Sequence, residues 1–242
     1  MWDWAAFFHY LQSGFLLEGA AITLGISVAA IVLGLACGLV AALMRMSGRR
    51  ALSRPAAFYI WLMRGTPVLV QLIVIYTGLP QFGIRFTVLE AVIIGLGVNE
   101  GAYLAEIFRA GIAAVPPGQF EAARAIGLSP MQAMRLVVLP QAFRIVIPPL
   151  GNAFNGLMKT SSLASVISMD ELLRRSQLLI QVNFKVLEIF MVAALYYLAL
   201  TTLWGVVQSW LERRFGRSTA ERTRNPPNAS DLALTLPAQD AA

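Results

Sequence analysis

Long apolar runs alternate along this chain with short polar connections that carry arginines, and the runs exceed the length of core helices in a water-soluble domain. A bilayer core roughly 30 Å thick takes about 20 helical residues, and an isolated apolar segment satisfies its own backbone there only as a helix. Five runs reach that length: residues 16–44, a run within 58–79, 88–108, 145–168 and 186–210. The first is rich in small residues and free of charge after Glu18. The second is interrupted by Arg64, Gly65 and Pro67, which predicts that its first turns lie along the surface before the chain enters the membrane. The expected architecture is an all-α integral membrane protein with five transmembrane helices.

Composition agrees: 13% of residues are charged and the mean hydropathy is +0.67, whereas soluble domains carry about 25% charged residues. The net charge of +6 does not point to nucleic acid, because the arginines cluster beside apolar runs in the way that marks cytoplasmic membrane loops. Arg45, Arg49, Arg50, Arg54 and Arg64 flank the first connection, Arg109, Arg124, Arg135 and Arg144 the third, and Arg213, Arg214, Arg217, Arg222 and Arg224 the tail. The other side holds Arg85, Arg174, Arg175 and Lys185. The expected orientation is N-out and C-in, with Trp2 and Trp4 at the outer boundary and Trp61 and Trp210 at the inner one. The first run is too long for a cleavable signal and its basic flank follows it, so it remains as a span. Three segments result: a periplasmic interfacial segment over 1–15, a transmembrane domain over 16–215, and a flexible cytoplasmic tail over 216–242. Cys37 stands alone inside an apolar run and reads as packing, and the single histidine, His9, leaves no His-based metal or catalytic set.

Between the third and fourth runs lies a polar loop. Pro116, Pro117 and Gly118 end the preceding helix, and a short helix follows with Glu121 expected in its first turn, where a carboxylate suits the dipole. Gly127 stops it; Ser129 and Pro130 then signal a second short helix to about Val138, which Pro140 is expected to break. Such an elbow presents one small, stiff surface, or merely connects two spans as a solvated amphipathic loop.

Glu121-Ala122-Ala123, three residues, Gly127, nine residues and Val137-Val138-Leu139-Pro140 resemble the EAA loop of membrane subunits of binding-protein-dependent ABC importers, with Val137 in place of the usual Ile. The stretches RGTPVLVQLIVIYTGLP from Arg64, NEGAYLAEIFRAGI from Asn99 and PPLGNAFNGLMKTSSLASVI from Pro148 are similar to the polar amino acid branch, and the resemblance runs from about Leu16 to Phe215. It implies a type I ABC importer permease fold in a bacterial inner membrane. Glu121, Ala122, Ala123, Gly127, Leu139 and Pro140 would dock on a cytoplasmic ATPase subunit whose strokes reorient the spans. The implied partners are cytoplasmic ABC ATPase subunits, a periplasmic substrate-binding protein, a second permease subunit and the lipid bilayer, with no nucleic acid and no cofactor. No GxxxxGK[ST] pattern occurs in the chain, so any ATP is bound elsewhere and the subunit itself is expected to be non-catalytic. A stand-alone gradient-driven transporter or channel is the alternative; five spans without a visible internal repeat fit it poorly. An intramembrane enzyme lacks a converging nucleophile–base or metal-ligand set.

Ionisable residues at bilayer depth face a partner or a watery cavity. Asn152, Asn155, Lys159 and Ser162 recur at steps of three and four on the fourth run, forming a polar stripe that lines a substrate path or bonds helices together. Glu100 on the third run is expected to pair with Lys159. Gln71 and Tyr103 are weaker path candidates, and Glu106 and Arg109 read as a local helix-end pair. The resembling family often reads GNEF and LKDTSL where this chain has Gly151-Asn152-Ala153-Phe154 and Met158-Lys159-Thr160-Ser161-Ser162-Leu163. Two acidic positions are thus uncharged, Ala153 and Thr160, which argues against arginine, lysine or histidine as cargo and toward a polar or acidic amino acid or a derivative.

Overall fold

A computed structural model describes residues 2–215, and these form ten α-helices joined in places by short π and 3-10 turns, with no strand among the described residues. In order they are α1 (Trp4–Leu11), α2 (Gly14–Met46), α3 (Arg50–Gly65), α4 (Val68–Ile73), α5 (Val88–Ala113), α6 (Pro117–Ala125), α7 (Pro130–Ala133), α8 (Leu139–Thr160), α9 (Leu172–Asn183) and α10 (Val186–Phe215). Four stretches are long and apolar enough to cross a bilayer unaided: Gly14–Met46, Val88–Ala113, Pro130–Ile167 and Val186–Phe215. A fifth is a broken pair, Arg50–Gly65 and Val68–Phe82, bent by 105°. The expected tail, 216–242, lies outside the described residues.

The register of α2 against α5 decides that the broken pair is a crossing. Gly97 faces Ala30, Gly101 faces Gly34 and Cys37, and Leu104 faces Gly38, so the two helices run parallel. A parallel neighbour is reached only if the intervening chain returns across the bundle, which leaves α3 and α4 to do it. The glycines are needed here because a Cβ on Gly38 would lie 2.9 Å from the Gly101 carbonyl, and one on Gly97 2.9 Å from the Ala30 carbonyl. In lipid, where burial gives no hydrophobic gain, such close backbone approach is what holds two helices together. α8 runs antiparallel to α5, with Gly111 against Val146, and α10 antiparallel to α8, with the Trp204 indole N–H donating to the Gly151 carbonyl at 2.8 Å.

Several sequence expectations need correction. The first turns of the second run belong to a separate helix that starts at Arg50, buries Ala56 and Ile60, packs Ile60 with Ala41, Ala42 and Ala105, and is bent by 105° from the segment that follows. Pro140 does not break the chain's path. A wide π turn over Met134–Val138 precedes it and leads straight into α8, and the same device, Val74–Gly78, precedes Pro80. The wider turn makes room for a ring that would clash with the carbonyl four residues back. The fourth crossing is therefore continuous from Pro130. Glu121 sits in the second turn of α6, because the helix begins at Pro117.

α9 was not foreseen. Its N-cap, the fully buried Glu171, accepts hydrogen bonds from the Arg174 amide (2.8 Å), Thr23 of α2 (3.2 Å) and Tyr197 of α10 (2.8 Å). Arg175 adds ion pairs to Glu18 (2.6 Å) and Asp170 (3.0 Å), and Leu16, Leu172 and Ile189 pack beneath. This end of the bundle, which also carries α1 through the Lys185–Asp3 pair (2.8 Å), is thus closed by polar side chains over an apolar plug.

Candidate functional site

The break between α3 and α4 is held open by side chains. Helix ends leave their last carbonyls without partners. At the end of α3 these are met from outside: Asn99 of α5 donates to the Met63 carbonyl (3.0 Å), and Gln71 donates to the same carbonyl (3.0 Å) and to the Thr66 hydroxyl (2.8 Å). Asn99 also donates to Gln71 (3.1 Å), which closes the network. The bend so fixed pushes Arg64, Thr66 and Pro67 into a cleft of about 780 Å³ between the broken span, α5 and α8.

Glu100, Asn99 and Tyr103 line that cleft from α5, and Asn152, Ala153 and Thr160 from α8. The Arg64 guanidinium lies 5.2 Å from the centre of the Tyr103 ring, a cation–π placement that aims the cation along the wall. Glu100 is half-buried and has no hydrogen-bond partner among the described residues. The cleft therefore offers one cation, one anion and a ring of neutral hydrogen-bonding groups.

Of the expected path residues, Glu100, Tyr103 and Asn152 meet in this cleft. Gln71 stands behind it as the brace of the bend. Asn155, Lys159 and Ser162 do not line the cleft, and Ser162 lies beyond α8, in the short 3-10 turn Ser161–Ile167. Lys159 is exposed, and no Glu100–Lys159 ion pair forms among the described residues. Glu106 and Arg109 do pair, at 2.7 Å. Arg64, Thr66 and Asn99 were missed as wall residues, although the Gly65–Pro67 interruption was the signal that a span breaks there; Ala153 and Thr160, singled out as positions bearing on the cargo, also line the cleft.

The elbow stands at the far end of the same helices. α6 closes with the Leu128 amide donating to the Ala123 carbonyl (3.2 Å) and the Gly127 amide to the Arg124 carbonyl (3.0 Å), with Gly127 at φ +88°, the left-handed conformation that favours glycine. Ser129 then caps α7 in a reciprocal box with Gln132. Val115, Phe120, Val138 and Ala142 form one apolar cluster joining α5, α6 and α8, and Gln141 of α8 donates to Gln119 of α6 (3.2 Å). Glu121, Ala122 and Gly127 are exposed on this unit and Ala123 is buried beneath it. Ile126, Met131 and Leu136, exposed at 79%, 67% and 65%, add apolar surface that the sequence reading did not single out. Leu139 is also exposed.

Residues 30–217 match the family described as "Binding-protein-dependent transport system inner membrane component". The chain belongs to this family. Within this family of ABC importer permeases, the chain is 40% identical to the probable amino-acid ABC transporter permease protein YckA of Bacillus subtilis, over 83% of this chain and 89% of that protein. It is 38% identical to the glutamine transport system permease protein GlnP of Escherichia coli, over 88% of this chain and 97% of that one. Among solved structures, the crystal structure of an amino acid ABC transporter with histidines aligns at a TM-score of 0.84 and 38% identity, covering 88% of this chain and 99% of that one. Membership places the permease in the inner membrane, as part of importers that work with an ABC ATPase and a substrate-binding protein, and sets aside the gradient-driven alternative.

Proposed function

We propose that this chain passes a neutral or acidic polar amino acid, or a derivative of one, through the cleft at the broken span, in a pore formed with a second permease chain of the same or similar sequence. The observation that carries the reading is that α5 and α8 wall the cleft and also bear the elbow, so one pair of helices links a cytoplasmic handle to a polar site. Arg64 suits the cargo's α-carboxylate and Glu100 its ammonium, charges that every zwitterionic amino acid presents. The rest of the wall is uncharged, and it includes Ala153 and Thr160, the positions where the resembling family often has carboxylates. A cationic side chain would find no second anion there.

The elbow, with Glu121, Ala122, Ala123, Gly127, Leu139 and Pro140, is the docking point for the separate ATPase subunit, and Ile126 and Met131 supply apolar contact area. ATP is hydrolysed in that subunit and not in this chain. The N-terminus is periplasmic and the C-terminus cytoplasmic, which puts the elbow and the arginine-rich end on the ATPase side and the α1–α9 end toward the binding protein.

The test is uptake into proteoliposomes holding the permease, its ATPase and its loaded binding protein. Glutamine-like and acidic amino acids are expected to enter in preference to arginine and lysine, and Ala153→Glu with Thr160→Asp is expected to raise cation entry. Equal entry of lysine in the unmodified permease would sink the cargo reading. Normal uptake by Gly127→Asp or Glu121→Lys would sink the docking reading.

A further inference from the structure

α8 has a second working side. About 130° around its axis from the cleft-facing residues, at roughly 100° per residue, Ile147 and Phe154 floor a separate groove of about 360 Å³. Val28 and Leu35 of α2 form one wall, Trp204 and Phe215 of α10 the other. The lining is apolar except for Gln208, whose amide already donates to Asn152 (3.1 Å) and Glu212 (2.9 Å), and the Trp204 indole N–H is spent on the Gly151 carbonyl. No donor is left over to recognise a polar solute, so the groove takes hydrocarbon.

Its length and its mouth identify the hydrocarbon. From Trp204 to Phe215 the α10 wall rises about 16 Å at 1.5 Å per residue, close to the roughly 15 Å hydrocarbon depth of a single leaflet. At the lower end the Phe143 and Phe215 rings meet at 6.1 Å. Their sequence neighbours are Arg144 on one side and Arg213 and Arg214 on the other, and the Arg214 guanidinium lies 6.0 Å from the Trp210 ring. An apolar slot one leaflet deep, whose end at Phe215 adjoins Trp210, Arg213 and Arg214, with Arg144 next in sequence to Phe143, is complementary to a molecule with a long tail and an anionic head.

We propose that this groove seats one acyl chain of an anionic phospholipid, with its phosphodiester held by Arg144, Arg213 and Arg214. A second permease chain covering the same face would instead present protein atoms there and no phosphate. The inference is independent of the cargo reading, since it concerns the opposite side of α8.

Trp204 is the reporter. In the full chain carrying Trp2→Phe, Trp4→Phe, Trp61→Phe and Trp210→Phe, placed in nanodiscs of phosphatidylcholine, Trp204 emission is titrated with phosphatidylglycerol or phosphatidylcholine brominated in the acyl chains. Half-maximal quenching is expected at a mole fraction at least threefold lower for the anionic lipid, and Arg144→Gln, Arg213→Gln and Arg214→Gln together are expected to abolish the difference. If that triple variant fails to insert, 1 M salt on the arginine-bearing chain gives the same readout: the preference falls toward one while quenching persists. Equal quenching by both lipids at low salt overturns the proposal in favour of ordinary bulk lipid. No quenching by either overturns it in favour of a protein cover.

Discussion

Replacing Asn99 by alanine removes a side chain that reaches from α5 to both halves of the broken span. Two hydrogen bonds go, to the Met63 carbonyl and to Gln71, at buried or half-buried positions. At about 0.5–1.5 kcal/mol each the loss is roughly 1–3 kcal/mol, which for a chain of this size lowers Tm by roughly 2–4 °C per kcal/mol. Gln71→Ala removes its own bonds to Met63 and Thr66 and the shared one to Asn99. Because the two residues share a bond and an acceptor, the double variant should lose less than the sum, with a coupling of about 0.5–1.5 kcal/mol. Thermal unfolding of the four proteins in one detergent measures it. The functional arm is uptake, expected to fall several-fold in Asn99→Ala at a temperature where the protein is still folded, because Arg64 and Thr66 ride on the bend. Strictly additive Tm shifts, or unchanged uptake beside a clear loss of stability, would show that the backbone holds the bend without this network.

At the opposite end, Tyr197→Phe deletes a hydrogen bond to the Glu171 carboxylate and is expected to cost about 1.5–3 kcal/mol, read as a lower Tm and faster amide exchange in α9. Gly127→Ala meets no neighbouring atom, so its cost is the left-handed backbone alone, about 1–2 kcal/mol; uptake should fall less than in Gly127→Asp, which adds a charge to the docking face, and a reversed order in the uptake assay would refute this. Hydrogen bonding from Lys185, then from the Ala6 amide, holds the Asp3 carboxyl below its ordinary range. Its folded pKa is depressed, so the stability it gives α1 is present above the unfolded value of about 4 and is lost as pH falls through the folded one. Exchange of α1 amides should therefore accelerate relative to the rest of the chain on acidification below about pH 4, and Asp3→Asn should remove that dependence. Arg64→Gln and Glu100→Gln should each cut uptake at least tenfold while leaving basal ATP hydrolysis by the partner subunit in place, measured side by side in proteoliposomes.

What the sequence made legible is what depends on neighbours in the chain. Apolar run length located all five crossings, and Ser129-Pro130 and Gly127 located the turns of the elbow, because caps and left-handed residues act within four positions. The fully buried Glu171 and the ion pairs of Arg175 were invisible: Arg175 meets Glu18 across 157 residues, and no periodicity encodes that distance. The Lys159 expectation failed for a related reason. A step of three or four places residues on one side of a helix but does not say what that side meets along its length: Lys159 stands only about 20° around the axis from Asn152, yet Asn152 lines the cleft and Lys159 does not. Pro140 misled because a proline was taken as a stop, where a wide turn ahead of it lets the axis continue.

That uninterrupted axis has a mechanical meaning. α8 is 22 residues long, about 33 Å, rooted in the elbow's apolar cluster with no slack joint at its foot, and Pro148 and Pro149 lie at its middle. A lever of that length swung about 10° at its root carries its tip roughly 6 Å, about one helical pitch, so a small displacement at the foot is geared up to a gap comparable to an amino-acid side chain where the rod ends.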